Sequence, residues 1–553
     1  MVLLSASCGP FVQSSAGPAP AKLASIGSFG ASSPFRLLIT TSRDLGVVRN
    51  APVVVELRLR DRRSSRIATT LDRMYDPSDR WSASIHPGPA ALKQFGPPER
   101  VVRSATRLLQ RAGVTVHWTP GQPWLTAGAR AQVIDRIFRV QVRRYRASNG
   151  TTYVAGARDP LVPVFLRRYV SGIGRICTYV WLRRATVAAG GLSPRGMLAA
   201  YDVAPLRSLG MDGRGVTVVF PEIDGVDSAA TSRFAQANRL PPFNIHFNGA
   251  GLKSGDEATM DVEVVHAIAP RAKLVVFNFN GQVTNAQWTS QTLSMIRASA
   301  GDVISSSVGS CDGGYNSTDA ADFASVLNEA DVLRESMFAS AGDNGAFDCI
   351  GHGQTPGSAY LGVDMPAALP GVTGVGGTSV TASPSGSWQN ETVWEGPIET
   401  AGTGGGISRF FTQPAWQVAP GVTAADQINT AHMRMVPDVS ADADPGSGMN
   451  LIFPAGSGQG GGTSQAAPIW AAITALIDEY LRVHGHQPVG FMNPALYYLA
   501  RTHPAYAPFH DVTVGSNLYY PAGPGYDMAS GLGSPDAWNL ARDLLRYQAG
   551  RGL

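Results

Sequence analysis

An alternation of short apolar strands and helices, which begins near residue 215, is the feature that most constrains the fold of this chain. Strand-like segments such as GVTVVFPEI and AKLVVFNFN alternate with helix-like segments such as DEATMDVEVVHAIAP and FASVLNEADVLRESM. Strands that are apolar on both faces and separated by helices form a mostly parallel sheet covered by helices on both sides. Ligands bind such sheets at the carboxyl ends of the strands. The sequence therefore predicts an α/β domain with its functional site at that edge.

The first 190 residues follow a different pattern. Residues 1–35 are rich in Ser, Ala, Gly and Pro and are predicted to be a loose segment. The elements predicted after it are a strand at 51–60, a helix at 97–113, a strand at 114–118, a helix at 127–138 and a strand at 139–145. This order indicates a small α+β domain with antiparallel strands, which we assign to residues 36–183.

A stretch of small residues, RATVAAGGLSPRG at 184–196, separates the two patterns. Its composition is typical of a linker or a cleavable loop. The α/β domain is then expected to extend over residues 197–548.

The two parts of the chain carry opposite charge. Residues 1–190 hold 28 basic and 9 acidic side chains, whereas residues 191–553 hold 17 basic and 32 acidic ones. The arginines of the first part are scattered and are not interleaved with stacking aromatics, so no nucleic-acid partner is predicted. A simpler explanation of the opposite charges is that the two parts of the chain attract each other.

Targeting signals give little information. No run approaches the roughly 18 apolar residues of a membrane-spanning helix, so no membrane partner is predicted. The opening MVLLSASCGP lacks the basic residues and the apolar core of a signal peptide. Either the start is truncated or misassigned, or export is cryptic.

The four cysteines, Cys8, Cys177, Cys311 and Cys349, show no CxxC spacing, so a structural zinc site is not expected. Cys311 and Cys349 flank one segment and can pair in an oxidising compartment. Two buried free thiols are an equally good interpretation.

The tetrapeptide GGTS occurs twice, and its two copies have different surroundings. The copy at 376–379 follows β-branched residues and precedes a Ser/Pro loop, so Ser379 is expected at a strand end. The copy at 461–464 precedes an apolar helix and places Ser464 in its first turn, where unpaired N–H groups can stabilise an oxyanion. Pro468 falls near the helix start, where its missing N–H is expected to cost little. An N-capping hydroxyl is the alternative role for this copy.

A nucleophilic serine needs a base, and no histidine lies in a recognisable motif. Glu257 and Asp261 are four residues apart and share a helix face, while Glu263 and His266 point elsewhere. Two carboxyl groups on one face suit a coupled acid/base pair, although a solvated acidic helix start is the simpler alternative. Asp343 lies in a Gly-Asp-Asn-Gly turn after an apolar strand, which alone indicates only a turn.

Taken together, these segments resemble the sedolisins, the serine-carboxyl peptidases with a subtilisin-like, doubly wound fold. The N-terminal part, with LDRMYDPSDRW and FGPPERVVRSATRLLQRAG, resembles the small α+β (ferredoxin-like) activation prodomain of that family. The resemblance in the α/β domain rests on nine ordered motifs: GVTVVFPEIDG, DEATMDVEVVHAIAP, DVISSSVG, ASAGDNGA, GVTGVGGTSV, GGGISRFFTQPAWQ, RMVPDVSADADP, GGTSQAAPIWAAITAL and HDVTVGSN with AGPGYDMASGLGSP.

The resemblance implies a role for each matching residue. Ser464 would be the nucleophile, Glu257 its general base and Asp261 the residue that orients Glu257. Asp343 would donate a hydrogen bond to the oxyanion, and Glu222 matches a position that extends the carboxyl chain in some members. These roles imply a serine-type endopeptidase that is made as a zymogen and cleaves itself.

The implied chemistry predicts activity in acid. A carboxylic acid donates a hydrogen bond to an oxyanion only while it is protonated, near or below pH ~4 unless its pKa is raised. One family position departs here, because Val308 replaces a tryptophan in the SxSWG strand. A catalytically silent, peptide-binding member and a histidine-dependent subtilisin-like hydrolase are the alternatives, and the intact motifs argue against both.

The family also implies one calcium ion near the C-terminus. Asp511 and Asp527 would give side-chain oxygens, and Val512, Gly523 and Gly525 would give main-chain oxygens. An oxygen-only set of this kind suits calcium, and glycines permit the sharp turns that it needs. A Gly/Pro loop with incidental aspartates is the alternative.

The expected partners are protein or peptide substrates and the chain's own prodomain, which would act as an intramolecular inhibitor. The charge asymmetry predicts that acid weakens this contact, because carboxylates protonate while arginines stay charged. A clamp based on shape and apolar contact is the alternative. The resemblance further implies a secreted monomer.

Overall fold

The computed structural model describes residues 34–61, 65–76, 89–148, 150–179, 191–279, 283–299, 301–349, 361–383, 385–396, 401–426, 428–502 and 504–550. Most of the predicted loose segment 1–35, and residues 184–190 of the predicted linker, lie outside these ranges.

Among the residues that the structure describes, seven strands and four helices form the N-terminal domain. Its helices are α1 (Pro34–Thr41), α2 (Ser65–Met74), α3 (Glu99–Arg111) and α4 (Ala131–Phe138). Its strands are β1 (Arg43–Val47), β2 (Pro52–Leu59), β3 (Thr115–His117), β4 (Trp124–Arg130), β5 (Val142–Arg146), β6 (Thr152–Gly156) and β7 (Val170–Ile173). Short 3₁₀ turns lie at Pro89–Phe95 and Val164–Leu166.

The main sheet of this domain has the order β3-β4-β2-β7, and its pairs are antiparallel. The chain passes through β2, α3, β3, β4, α4 and finally β7, which is a ferredoxin-like arrangement. β1, β5 and β6 form a second antiparallel sheet. The predicted small α+β domain with antiparallel strands is confirmed.

One predicted element of this domain begins too early. The helix expected over 127–138 starts only at Ala131, because residues 127–130 belong to β4. Ala127 and Gly128 pair with Val55 and Val54 of β2 in the sheet. The ladder of main-chain hydrogen bonds overrides the helix preference of these small residues, since such preferences are weak beside tertiary context.

The second domain contains ten helices and sixteen strands among the described residues. The helices are α5 (Pro194–Ala200), α6 (Ala204–Ser208), α7 (Ser228–Asn238), α8 (Asp256–Ile268), α9 (Asn285–Ser299), α10 (Ser317–Val332), α11 (Val422–Asp426), α12 (Thr463–Val483), α13 (Asn493–Thr502) and α14 (Ala537–Gln548). The strands are β8 (Thr217–Glu222), β9 (Ile245–Asn248), β10 (Lys273–Asn278), β11 (Val303–Ser306), β12 (Ser310–Cys311), β13 (Ser336–Ser340), β14 (Asp364–Met365), β15 (Thr373–Ala382), β16 (Trp388–Val393), β17 (Gly406–Thr412), β18 (Met433–Val436), β19 (Val439–Asp442), β20 (Asn450–Phe453), β21 (Gly456–Gln459), β22 (Phe509–His510) and β23 (Ser534–Pro535).

The central sheet has the order β16-β15-β13-β11-β8-β10-β9, and β19 also pairs with β15. Only the pair β15–β16 is antiparallel in it. The chain builds β10 on one side of β8 and then crosses to place β11 on the other side. The strand order therefore reverses between β8 and β11, which is where such sheets form a ligand crevice.

Helix α12 is the core of this domain. It packs against α8 and against β11, β13, β15 and β19, and its residues from Thr463 to Leu481 are all buried. Trp470 is fully buried, and its indole N–H donates to the carbonyl oxygen of Ser440 at 2.8 Å. Such a helix lies inside the protein because it is apolar on all sides.

The end of the predicted linker is ordered. Leu192 donates its N–H to the carbonyl oxygen of Gly448 at 2.9 Å, and Ser193 caps α5 by accepting from the N–H of Gly196. Residues 191–196 are therefore joined to the α/β domain and do not form a linker. The small-residue composition fits a helix cap as well as it fits a loop.

The N-terminal domain packs through its main sheet and α2 against α9 and α10 of the second domain. Arg58 forms an ion pair with the buried Asp322, and the N–H of Arg175 donates to both carboxyl oxygens of Asp319 at 3.0 and 2.9 Å. Tyr75 donates its hydroxyl hydrogen to the carbonyl oxygen of Asp331 at 2.7 Å. The contact thus includes an ion pair and hydrogen bonds to a buried carboxyl group and to a carbonyl oxygen.

Cys311 and Cys349 form a disulfide, which decides the alternative left open by the sequence. Cys177 is a buried thiol, and burial raises its pKa to about 11. Among the described helices, none is both long and apolar enough to cross a membrane.

Candidate active site

Ser464 is the second residue of α12 and is almost fully buried. The helix starts after Gly462, whose φ of +77° lies in the left-handed region that favours glycine. A Cβ at Gly462 would lie 2.8 Å from Oδ2 of Asp343. Glycine is therefore needed here twice, for the turn and for the close approach of Asp343.

Pro468 lies deeper in α12 than expected, because it is the sixth helical residue. It lacks the N–H that would bond to the carbonyl oxygen of Ser464 one turn earlier. The hydroxyl of Ser307, which follows β11, lies 3.0 Å from that oxygen and donates to it. The sequence predicts that the missing N–H costs little because Pro468 lies at the helix start. Pro468 instead lies inside the helix, and the lost bond is replaced by the Ser307 hydroxyl.

Glu257 and Asp261 lie on α8, which packs directly against α12. Burial and the neighbouring Asp261 raise the pKa of Glu257 well above its usual range, and a hydrogen bond from the Ser464 hydroxyl opposes this shift. The Glu257 side chain is partly exposed as a whole, but both carboxyl oxygens are buried and neither has a hydrogen bond of standard geometry. Catalytic contacts are often loose before substrate binds.

Asp261 continues the chain of carboxyl groups away from Glu257. It is fully buried, burial raises its pKa to about 8, and hydrogen bonds from Ser307 and Glu222 oppose the shift. Ser307 Oγ lies 2.9 Å from Asp261 Oδ1. Because Ser307 has one hydroxyl hydrogen, a protonated Asp261 would let Ser307 donate to Ser464 at the same time.

Glu222 ends β8 and is fully buried beside Asp261. Burial, and then the charges of Asp261 and Glu257, raise its pKa well above the usual range. Three carboxyl groups this close cannot all be ionised, so they share protons as one coupled system.

Asp343 approaches Ser464 from the loop after β13. Its Oδ1 accepts from the N–H of Thr463 at 2.8 Å and from the Thr463 hydroxyl at 2.8 Å. These bonds fix the carboxyl group beside the first turn of α12. The two bonds leave Oδ2 on the side that faces Gly462.

The structure brings the four predicted catalytic residues together at the carboxyl ends of β8, β11 and β13. Ser379 lies elsewhere, in β15, and donates to Asp444 at 2.7 Å. His266 bonds to the carbonyl oxygen of Pro241 at 2.8 Å and stacks on Phe243, so it faces away from Glu257. Among the described residues, no histidine is hydrogen-bonded to Ser464.

The sequence assigns no role to three contributors, although each lies inside a quoted motif: Ser307, Thr463 and Asp224. The last of these lies after β8 and caps α8, because Oδ1 accepts from the N–H of Ala258 at 2.9 Å and Oδ2 from that of Glu257 at 3.4 Å. The charge of Asp224 is also one of the causes that raise the pKa of Glu257. Asp224 therefore both positions and tunes the candidate base.

Asp224→Asn should shift the acid limb of the kcat/KM profile to lower pH. The substitution removes a negative charge, so the pKa of Glu257 falls, and a base works above its pKa. The amide oxygen can still cap α8. Asp256→Asn, at an exposed position of the same helix start, is the matched control and should leave the limb in place. An unmoved limb in Asp224→Asn would contradict the role of Asp224.

The five predicted calcium ligands lie in two loops that touch. Asp511 accepts from the N–H of Gly525 at 2.9 Å, and Asp527 accepts from that of Gly523 at 3.0 Å. The hydroxyl of Ser530 lies 3.3 Å from the carbonyl oxygen of Val512 and 3.1 Å from Asp527 Oδ2. Oxygen atoms from both loops therefore meet here, and the donor set fits a hard cation.

Comparison with known proteins places the chain among peptidases. The sequence profile of the subtilase family matches residues 248–487, and that of the pro-kumamolisin activation domain matches residues 46–178. Kumamolisin of Bacillus sp. (strain MN-32) is 31% identical over 487 residues, which cover 82% of this chain and 84% of kumamolisin. This chain belongs to the sedolisin family.

Two further relatives agree with the family. Sedolisin of Pseudomonas sp. (strain 101) is 27% identical over 537 residues, which cover 90% of this chain and 88% of sedolisin. The structure of Pseudomonas sedolisin with two molecules of pseudo-iodotyrostatin superposes with a TM-score of 0.55 at 24% identity and covers 66% of this chain and 100% of that chain. The subtilisin-like fold is thereby confirmed, and the chain is a serine-type peptidase with an activation prodomain.

Proposed function

We propose that this sedolisin-family chain is a secreted, acid-acting endopeptidase zymogen that hydrolyses peptide bonds through an acyl-enzyme on Ser464. The observation that carries the proposal is that the buried carboxyl oxygens of Glu257, on α8, lie beside Ser464 in the first turn of α12, with Asp261 and Glu222 behind them. A carboxylate takes the place that histidine occupies in most serine hydrolases.

The geometry suggests how the residues act. Glu257 accepts the hydroxyl proton as Ser464 Oγ attacks the carbonyl carbon of the substrate, and it returns that proton to the leaving amine. Water then attacks the acyl-enzyme with Glu257 again as base. Asp261 orients Glu257. The negative charge of the coupled carboxyl groups is shared among Glu257, Asp261 and Glu222.

Asp343 would stabilise the oxyanion. A protonated carboxyl group placed beside the helix start can donate to the negative oxygen that forms during attack, and the dipole of α12 assists it. An ionised carboxylate lacks this hydrogen, so the proposed role requires the protonated carboxyl group. Asp343 is held for this role by Thr463.

Asp343→Ala should lower kcat by about 10²–10³, the usual loss for one oxyanion donor. KM should change much less, because the contact forms mainly in the transition state. Asn344→Ala changes the next residue of the same turn and is the control. A near wild-type Asp343→Ala with an inactive Asn344→Ala would assign the role to the neighbour.

A pH profile on an unfolded protein substrate tests the function as a whole. An acid optimum is expected. A neutral optimum would favour a different base, and a folded chain without activity at any pH would favour a silent peptide-binding protein. Sequencing the new N-terminus formed in acid would locate the cut, which we expect between residues 180 and 190.

Some carboxyl groups at the prodomain contact act against the release in acid that the charge asymmetry predicts. Glu56, in β2 of the prodomain sheet, is fully buried, and burial with the charges of Asp322 and Asp319 raises its pKa well above the usual range. Burial also raises the pKa of Asp319 to about 6. Carboxyl groups of this kind take up protons on docking, so acid favours the contact through them. We infer that cleavage of the connecting segment, rather than loss of attraction, starts activation.

We also propose one calcium ion at the loops of Asp511 and Asp527, with main-chain oxygens of Val512, Gly523 and Gly525. The ion would join two loops that both lie between β22 and β23, without touching the candidate catalytic groups. The disulfide and the proposed calcium site both suit an oxidising, extracellular location.

Excess chelator should therefore lower the thermal unfolding temperature. The protein that remains folded should keep its peptidase activity. Binding stabilises by about 2.7 kcal/mol when free calcium is 100 times its Kd. Asp527→Ala should abolish the calcium dependence of unfolding. An unchanged melting temperature in chelator, together with no calcium by metal analysis, would remove the site.

A further inference from the structure

Asp343 lies in a loop, residues 341–346, that two other segments hold in place; we call it the Asp343 loop. Gly402 donates its N–H to the carbonyl oxygen of Asp343 at 3.0 Å. At the other end of the loop, the N–H of Ala346 donates to the carbonyl oxygen of Asn517 at 3.0 Å. The position of the Asp343 carboxyl group therefore depends on where these two partners lie.

The main chain of Asn517 packs tightly against the Asp343 loop. A Cβ at Gly345 would lie 2.5 Å from the carbonyl oxygen of Asn517, and the φ of Gly345 is +61°. Glycine suits both the conformation and the close approach. Tyr519 adds an edge-on contact with Phe347, with ring centroids 5.9 Å apart. A shift of Asn517 would therefore move the loop with it.

The side chain of Asn517 fixes the main chain that makes this contact. Asn517 is fully buried, and its Oδ1 accepts from the N–H of Tyr520 at 2.8 Å. The turn between them contains Leu518, whose φ of +69° is uncommon for a residue that has a side chain. Such a conformation persists only where the surroundings hold it. The turn thus depends on the Asn517 side chain.

The amide nitrogen of the same side chain reaches the second segment that supports the Asp343 loop. Nδ2 donates to the carbonyl oxygens of Met528 at 3.1 Å and of Gly405 at 3.3 Å. Gly405 follows Gly404, whose N–H donates to the carbonyl oxygen of Gly342 at 2.6 Å. One buried side chain therefore acts on both supports of the loop.

We propose that Asn517 is a positioning residue for catalysis, which fixes the Asp343 loop so that the carboxyl group of Asp343 meets the oxyanion. The proposal rests on the proposed function and adds to it a residue that acts through Asp343. A donor displaced by ~1 Å can cost about 10²-fold in rate. The contact with the oxyanion forms mainly in the transition state, so the loss should appear in kcat rather than in KM.

Single and double variants test this role. Asn517→Ala should lower kcat of the processed enzyme by about 10–10²-fold and leave KM within about 3-fold. In the Asp343→Ala background, the same substitution should lower kcat by less than about 3-fold, because the donor that Asn517 positions is already absent. A residue that only stabilises the fold would act by the same factor in both backgrounds.

Asn493→Ala is the matched control. Asn493 is also a fully buried asparagine with three side-chain hydrogen bonds, which join it to Val372, Thr373 and Asp438. Thr373 begins β15, whereas the candidate site lies at the carboxyl ends of the neighbouring strands. The substitution should lower the thermal unfolding temperature, and kcat of the folded enzyme should stay near wild type.

Asn517→Asp is a second variant, in case Asn517→Ala fails to fold. Aspartate keeps the acceptor for Tyr520 but loses at least one of the two bonds from Nδ2. Its loss in kcat should therefore be smaller than that of Asn517→Ala, and it should again depend on Asp343. An unchanged kcat, a change in KM alone, or equal factors in the two backgrounds would overturn the positioning role. No cleavage by the folded wild-type chain would instead contradict the proposed function.

Discussion

Ser464→Ala is expected to abolish both peptide hydrolysis and self-cleavage, with a loss of about 10⁴-fold or more in kcat. Without the hydroxyl no acyl-enzyme can form, and removing a serine nucleophile elsewhere costs up to about 10⁶. The measurement is kcat on a peptide substrate, together with the size of the full-length chain after incubation in acid.

Ser379→Ala is the matched control because it alters the same tetrapeptide in its other copy. Ser379 donates to Asp444 and has no contact with Glu257. Its loss should cost stability only, about 0.5–1.5 kcal/mol for one hydrogen bond. Equal loss of activity in two correctly folded serine variants would refute the assignment of Ser464.

Glu257→Gln should lower kcat/KM by about 10²–10⁴, the range that general base catalysis supplies. Glutamine keeps the shape of the side chain and can accept from Ser464, but it cannot take the proton. The loss should persist at every pH, because no titration restores the base. Self-cleavage should slow by a similar factor.

Glu263→Gln controls for the removal of a buried carboxyl group from the same helix. Burial raises the pKa of Glu263 to about 8, and its Oε2 accepts from the N–H of Ile452 at 2.8 Å. Glutamine can keep that bond, so activity should stay near wild type. A loss in Glu263→Gln as large as in Glu257→Gln would point to damage of α8 rather than to a missing base.

The sequence predicts the site residues that can be recognised from local spacing or from family motifs. Glu257 and Asp261 share a helix face by spacing alone, and the flanks of the two GGTS copies separate Ser464 from Ser379. The contribution of Ser307 depends on the packing of β11 against α12, because Ser307 and Ser464 are 157 residues apart in the sequence. A local sequence pattern cannot predict a contact over that separation.

Two local expectations failed because tertiary contacts outweigh local preference. Residues 127–130 look helical but complete the pairing of β4 with β2. Pro468 looks harmless at a helix start, yet it frees the carbonyl oxygen of Ser464 for Ser307. The sequence likewise assigns Asp224 no role, because its cap on α8 comes from a loop 34 residues earlier. In each case the deciding partner is distant in sequence.

The carboxyl groups at the prodomain contact bear on how a severed prodomain rebinds. Burial and the charges of Asp322 and Asp319 raise the pKa of Glu56, and burial raises the pKa of Asp319 to about 6. Where docking causes that burial, the carboxyl groups take up protons as the prodomain binds, so we expect acid to tighten the contact and neutral pH to weaken it. An intact prodomain from another molecule should then inhibit less strongly as the surroundings turn neutral.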